Sequence, residues 1–195
     1  MNPEASRRKT QAGCCDQRTS QLLVVDIQEK LGAAMPEKVL QRVVKNVVLL
    51  LNAAALLEIP VTASEQYPKG LGPTDPRIAQ SLPAGSRRLE KTCFSCVGAP
   101  GFEPVLVDSS RPQVVVVGME AHVCVLQTAI DLAAAGMQPF VVEDGMCSRR
   151  LENYQNALAR LRQAEVTVTS AESVIFEWLR DARHDQFKAV SALLR

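Results

Sequence analysis

The stretch that most constrains this chain is Val114-Val115-Val116-Val117-Gly118, followed after five intervening residues by Cys124. An apolar run that ends in glycine predicts a buried strand leaving a sheet through a tight turn. The residues from 122 to 135 then read as a helix. A thiol is therefore presented near a helix N-terminus, where the partial positive charge of the helix end favours thiolate over thiol.

The remaining pattern repeats the theme of strand, then helix. Short apolar runs at 22–25, 61–63, 113–117, 138–143 and 166–169 read as strands, and Arg87-Arg88-Leu89-Glu90-Lys91 as an edge-like one. Apolar residues recur at helical spacing over 37–57 (Val39, Leu40, Val43, Val44, Val47, Leu50, Leu51, Ala54), and helices are expected at 75–80, 100–108, 150–164 and 171–180. Asp144-Gly145 reads as a turn, and Phe187, Val190, Leu193 and Leu194 as a terminal amphipathic helix. Alternation of this kind predicts an α/β fold, a three-layer sandwich around a six-stranded, mainly parallel, Rossmann-like sheet. Residues 1–19 show no hydrophobic period and read as a disordered tail; 20–195 read as one domain.

Composition narrows the function. Twenty-two basic residues against 21 acidic ones leave a net charge of +1, which points to neither nucleic acid nor an anionic membrane. No continuous apolar run reaches the ~20 residues of a membrane span, and the first residues lack a signal peptide's apolar centre. Without those signals the cytoplasm is the expected location, and the 6 cysteines read as reduced thiols. Cys14 and Cys15 fall in the tail, and Cys147 in a loop.

In a parallel sheet, ligands bind beyond the carboxyl ends of the strands. Asp26, Lys91 and Cys124 each follow such an end. A thiol, a carboxylate and an ammonium converging there supply a nucleophile, a proton shuttle and an electrostatic partner. Taken singly, each has a plainer reading: a turn aspartate, a solvated lysine, a small buried thiol. A phosphoryl-acceptor role for Asp26 wants a second carboxylate two positions on, where Gln28 stands. No phosphate-binding glycine cluster follows the first strand.

Leu23-Val24-Val25-Asp26-Ile27-Gln28, Lys91 with Phe94-Ser95, and Gly118-Met119-Glu120-Ala121-His122-Val123-Cys124-Val125 together resemble the three motifs of the isochorismatase-like cysteine hydrolases. Glu65-Gln66-Tyr67-Pro68-Lys69-Gly70-Leu71-Gly72, Glu120-Ala121-His122-Val123-Cys124, Ser148-Arg149 and the ending around Phe187-Lys188 resemble its isochorismatase domain-containing subgroup. The resemblance implies Cys124 as nucleophile, Asp26 as proton shuttle and Lys91 as holder of the ion network, acting on a small amide or related acyl compound. It implies a cis peptide at Met119-Glu120 and an oxyanion hole from the backbone N–H groups of Glu120 and Cys124. It also implies assembly into homo-oligomers, for which Trp178, Phe187 and Leu193-Leu194 read as surface in need of a partner.

The family's nicotinamidases carry a metal site in the loop after the second strand. Here Ser64-Glu65-Gln66-Tyr67-Pro68-Lys69 has no histidine, so no metal and no cofactor is expected. His122 is a second base of the pocket or a hydrogen-bonded structural residue. Gln66 and Tyr67 line the pocket or simply shape the loop. Cys93-Phe94-Ser95-Cys96 has redox spacing but follows the third strand rather than the first. The alternative to an enzyme is a binding or scaffold protein that kept the pocket without turnover.

Overall fold

A computed structural model describes residues 13–102 and 110–194. The first twelve residues of the expected tail, and residues 103–108 of the helix expected at 100–108, lie outside them.

Six strands form one sheet: β1 (Ser20–Val25), β2 (Val61–Gln66), β3 (Arg87–Lys91), β4 (Gln113–Met119), β5 (Gln138–Cys147) and β6 (Thr167–Thr169). Their order is β3-β2-β1-β4-β5-β6, and every pairing is parallel. The chain builds outward from β1 in one direction and from β4 in the other. The switch point lies between β1 and β4, and the crevice at their carboxyl ends is where such a sheet accepts a ligand. Asp26 follows β1 and Cys124 lies just beyond β4, so topology alone carries both to that crevice.

Strand side chains alternate between two covered faces, which is why Leu22–Val25 of β1 and Val114–Val117 of β4 are apolar without a break. Leu22 and Val24 join Val115 and Val117 in one core, with α2 (Glu37–Leu56) and the helix Ala171–Leu179 above them. Leu23 and Val25 join Val114 and Val116 in the other, under Leu126–Ala134 and Leu151–Gln163. Short helices at Glu29–Ala33 (α1), Pro68–Leu71 (α3), Pro76–Ser81 (α4) and Phe187–Ala192 complete the described fold.

Three expectations change. First, α2 spans 20 residues, and its most apolar window has a mean hydropathy of 1.5, so by length and apolarity it matches a membrane span. Its apolar stripe, from Val43 to Ala54, packs on the sheet, and Glu37, Lys38, Arg42 and Lys45 interrupt the opposite side. Second, Asp144-Gly145 is no turn. It lies inside β5, which shifts register against β4 between Val116 and Gly118. The Asp144 carboxylate accepts the Ala171 N–H at 2.8 Å, and its carbonyl accepts Asn46 at 2.9 Å. The bulge is fixed from both flanks, and Cys147 is consequently a buried strand residue. Third, the end of the supposed tail is docked. Cys15 is fully buried, Cys15 N–H donates to Glu177 at 2.7 Å, and Asp16 N–H donates to Gln113 Oε1 at 2.7 Å.

The apolar residues expected to seek a partner instead cover their own domain. Trp178 is buried, and Phe187, Leu193 and Leu194 pack against the same core.

Candidate active site

The site begins with the close approach of β1 and β4. Gly118 pairs with Val25 and has φ 134, and a Cβ at Gly118 would run into the Val25 carbonyl. Only glycine admits this approach. The chain then passes through a cis Met119–Glu120 peptide into a single π-helical turn, Ala121–Val125, before Leu126–Ala134 continues as α-helix. Cys124 sits in that π turn, a local geometry that recurs at functional sites.

Asp26 leaves β1 in a left-handed backbone conformation (φ 51) and is fully buried. Its carboxylate is held on both oxygens. Lys91 Nζ donates to Oδ2 at 2.7 Å, and Ser64 Oγ donates to Oδ1 at 2.7 Å. The Cys124 thiol lies within reach of the charge of the same carboxylate. The three residues singled out by sequence, 65 and 33 positions apart, therefore meet at one point.

Lys91 has no proton to spare for a ligand. Its side chain is fully buried, and around its three N–H bonds stand four acceptors: Asp26, Gln66 Oε1 at 2.7 Å, Phe94 O at 3.0 Å and Cys93 O at 3.3 Å. Burial works against its charge, but the pull of Asp26 and the hydrogen bond to it outweigh it and raise Lys91 above the ordinary lysine range. Lys91 is thus a fixed ammonium that acts on a substrate through Asp26 and the field of the pocket.

The resting thiol is neutral. Burial, reinforced by the charge of Asp26, pushes Cys124 up to about 12 against the opposing pull of Lys91. The expectation of a thiolate stabilised by a helix end does not hold, because desolvation beside a carboxylate outweighs a partial helix charge. The arrangement holds a protonated nucleophile against its base.

The other residues expected in the pocket are placed as follows. Gln66 is engaged at both ends of its amide, accepting from Lys91 and donating to Thr92 O at 2.7 Å, so it steadies the lysine. Tyr67 is exposed, in a left-handed conformation (φ 37), with its ring over Gly70, where a Cβ would strike it. His122 bonds to Ser148 Oγ through Nδ1 at 2.9 Å and to the Asn153 amide through Nε2 at 3.3 Å, both ring nitrogens being occupied away from Asp26. Glu120 is buried and clamped by Arg149, whose backbone N–H and Nε donate to its carboxylate at 3.0 and 3.1 Å.

Sequence reasoning missed Ser64 and the part played by Gln28. Gln28 accepts the Gln66 N–H at 2.7 Å and donates to Gly72 O at 2.6 Å, tying the loop after β2 to the loop after β1. A polar residue closing the strand Val61-Thr62-Ala63-Ser64 was the available signal. It became legible only with the register that sets Ser64 beside Val25. Among the described residues no group of three or more His, Cys, Asp and Glu side chains is arranged to hold a metal ion.

A doubly wound sheet with an acid, a lysine and a cysteine at its switch point defines an isochorismatase-type α/β protein. Residues 20–173 match the family model of the isochorismatase domain, and the chain belongs to that family. Human isochorismatase domain-containing protein 2 is 39% identical over 183 residues, covering 91% of this chain and 83% of that protein. The structure described as MAR1 ribonuclease from Caenorhabditis elegans is 35% identical with a TM-score of 0.87, over 93% of this chain and 92% of that one. YcaC of Escherichia coli, described as an octameric hydrolase of unknown specificity, shares the fold at a TM-score of 0.85 and 20% identity, over 93% of this chain and 89% of that one.

Proposed function

We propose that the chain is a cysteine hydrolase that cleaves a small amide or related acyl compound through a thioester on Cys124. The observation that carries this reading is a buried carboxylate, held by Lys91 at 2.7 Å, whose charge acts on the neutral Cys124 thiol. A substrate carbonyl entering the crevice gives the thiol a target. Asp26 takes the Sγ proton as sulfur attacks the carbonyl carbon, so the thiolate exists only as the bond forms. Charge then develops on the carbonyl oxygen, and the backbone N–H groups of Glu120 and Cys124 are the donors assigned to it. Asp26 returns its proton to the leaving nitrogen, the C–N bond breaks, and the amine departs. Water then attacks the thioester, Asp26 accepts its proton and passes it to the departing sulfur, so the carboxylic acid is released and the free thiol and carboxylate are restored.

Lys91 keeps the carboxylate charged between these steps. Because its protons are all engaged, its removal acts on proton transfer rather than on substrate binding. Self-assembly and a cytoplasmic location belong to the same proposal. Among the described residues, Tyr67, Phe94 and Leu151 are the most exposed large apolar side chains, and a second copy would cover them.

The test is labelling of each cysteine with iodoacetamide near pH 6.5, mapped by mass spectrometry, followed by an amide-hydrolysis screen of the parent and Cys124→Ser. The reading requires Cys124 to react faster than Cys96 and Cys147, and turnover to vanish in Cys124→Ser. Inert Cys124 would instead favour a binding protein on the same fold. Because the Caenorhabditis relative bears a ribonuclease name, a single-stranded RNA substrate belongs in the screen. RNA cleavage that survives Cys124→Ser would overturn the amide reading.

A further inference from the structure

Cys96 is a second buried thiol beside the same carboxylate, and the chemistry proposed above does not use it. Its Sγ lies 3.5 Å from Ser64 Oγ, and its backbone N–H donates to Thr128 Oγ1 at 2.9 Å. All of these groups are buried. We propose that Ser64 is a positioning residue for Asp26, and that the Cys96 thiol sets the direction of the Ser64 hydroxyl. The inference rests on the reading of Asp26 as the proton shuttle.

A hydroxyl has one proton. Asp26 as a carboxylate can only accept, so the Ser64 proton lies on the 2.7 Å line to Oδ1. The contact with Cys96 must then run the other way, with S–H donating to Ser64 Oγ. The result is a directional chain, Cys96 S–H to Ser64 O–H to Asp26. The remaining groups facing the carboxylate are Lys91 from β3, on Oδ2, and Cys124 from the π turn. Thr128 anchors the Cys96 backbone so that the chain has a fixed origin. Held on both oxygens, the carboxylate cannot turn away from Cys124. A donated hydrogen bond also favours its charged form. Ser64 thereby keeps the carboxylate aimed at Cys124 as the acceptor of its proton.

The experiment is the pH profile of Cys124 alkylation by iodoacetamide, read by mass spectrometry from pH 4 to 9. The proteins are the parent, Ser64→Ala, Cys96→Ala, Cys96→Ser and Asp26→Asn, each checked for folding by circular dichroism. Removing the Ser64 hydroxyl takes away one of the donors that make the carboxylate a ready acceptor for the Cys124 proton. The acid limb in Ser64→Ala should therefore move up by about one pH unit, an approximately tenfold slower reaction at fixed pH on that limb. Cys96→Ala should move it the same way by about threefold in rate, since the hydroxyl survives but loses its director. Cys96→Ser supplies an O–H donor in place of S–H and should return the parent profile. A loss of packing alone would not move the limb in the order Ser64→Ala, Cys96→Ala, Cys96→Ser.

Profiles of Ser64→Ala and Cys96→Ala that superimpose on the parent, while Asp26→Asn changes the profile, overturn the inference and leave the Asp26 reading standing. An Asp26→Asn profile identical to the parent overturns both. Should Ser64→Ala fail to fold, the two Cys96 variants decide: an unmoved limb in Cys96→Ala, or a moved one in Cys96→Ser, overturns the directional chain.

Discussion

Replacing Lys91 with Met keeps most of the aliphatic stem and removes the ammonium. Both partners of the Lys91–Asp26 pair have fully buried side chains, 2.7 Å apart, so no solvent screens what is left behind. Breaking a buried pair by deleting one partner costs about 3–5 kcal/mol, because the other charge remains uncompensated. Folded domains are typically stable by about 5–15 kcal/mol, so this is a large share of the total. At about 2–4 °C per kcal/mol for a chain of this size, the melting temperature should fall by roughly 6–20 °C at pH 7. The double variant Asp26→Asn, Lys91→Met removes both charges and should regain a substantial part of the loss. A second signature follows from the sign of the charge. The orphaned carboxylate is relieved when it takes up a proton, so the deficit of Lys91→Met should shrink as the pH falls toward 5. Urea unfolding of the four proteins of the cycle at pH 5 and pH 7 measures both effects. A double variant no more stable than Lys91→Met, with a deficit that does not depend on pH, would refute the argument that an unpaired buried charge dominates this site.

Other outcomes follow from the same structure. Burial raises Cys96 to about 11 and Cys124 and Cys147 to about 12, above the ordinary thiol value of 9.0, so the folded state holds thiol protons that the unfolded state releases. Stability should therefore be unaffected by these thiols below pH 9 and fall as the pH rises above it, by about 1.4 kcal/mol per pH unit for each thiol. Urea titrations at pH 8 and pH 10 test the sign, and Cys147→Ala should make the slope shallower. Gly118→Ala drives a methyl into the Val25 carbonyl, so the protein should be lost from the soluble fraction or melt far below the parent. If it is parent-like in both melting and Cys124 labelling, the close approach of β1 and β4 is not needed. Trp178→Ala empties a fully buried site in the core under α2 and should cost about 3–5 kcal/mol in urea unfolding, with Cys124 labelling unchanged.

The apolar runs of β1 and β4, the helical spacing of α2 and the breakers between them carried the α/β class and the strand ends at Asp26, Lys91 and Cys124. These are local properties. A strand covered on both faces must be apolar at successive positions, and the residue that ends such a run must lie at the sheet's rim. What tertiary structure decided was everything that depends on which rims are neighbours. The order β3-β2-β1-β4 put Ser64 beside Val25 and delivered its hydroxyl to Asp26, although 38 positions separate them. Packing engaged Gln66 with Lys91 and His122 with Ser148 and Asn153, roles that no spacing encodes. It buried Trp178 in its own domain and kept Asp144-Gly145 inside a bulged strand. It also reversed the expected charge of Cys124. A helix end near a thiol can be read from the order of residues, whereas the desolvation that outweighs it comes from atoms brought in from β1, β3 and the loop holding Cys96. The sequence by itself determined which chemical groups stand at the rim; only the fold determined their partners, because burial and hydrogen bonding are properties of neighbours in space.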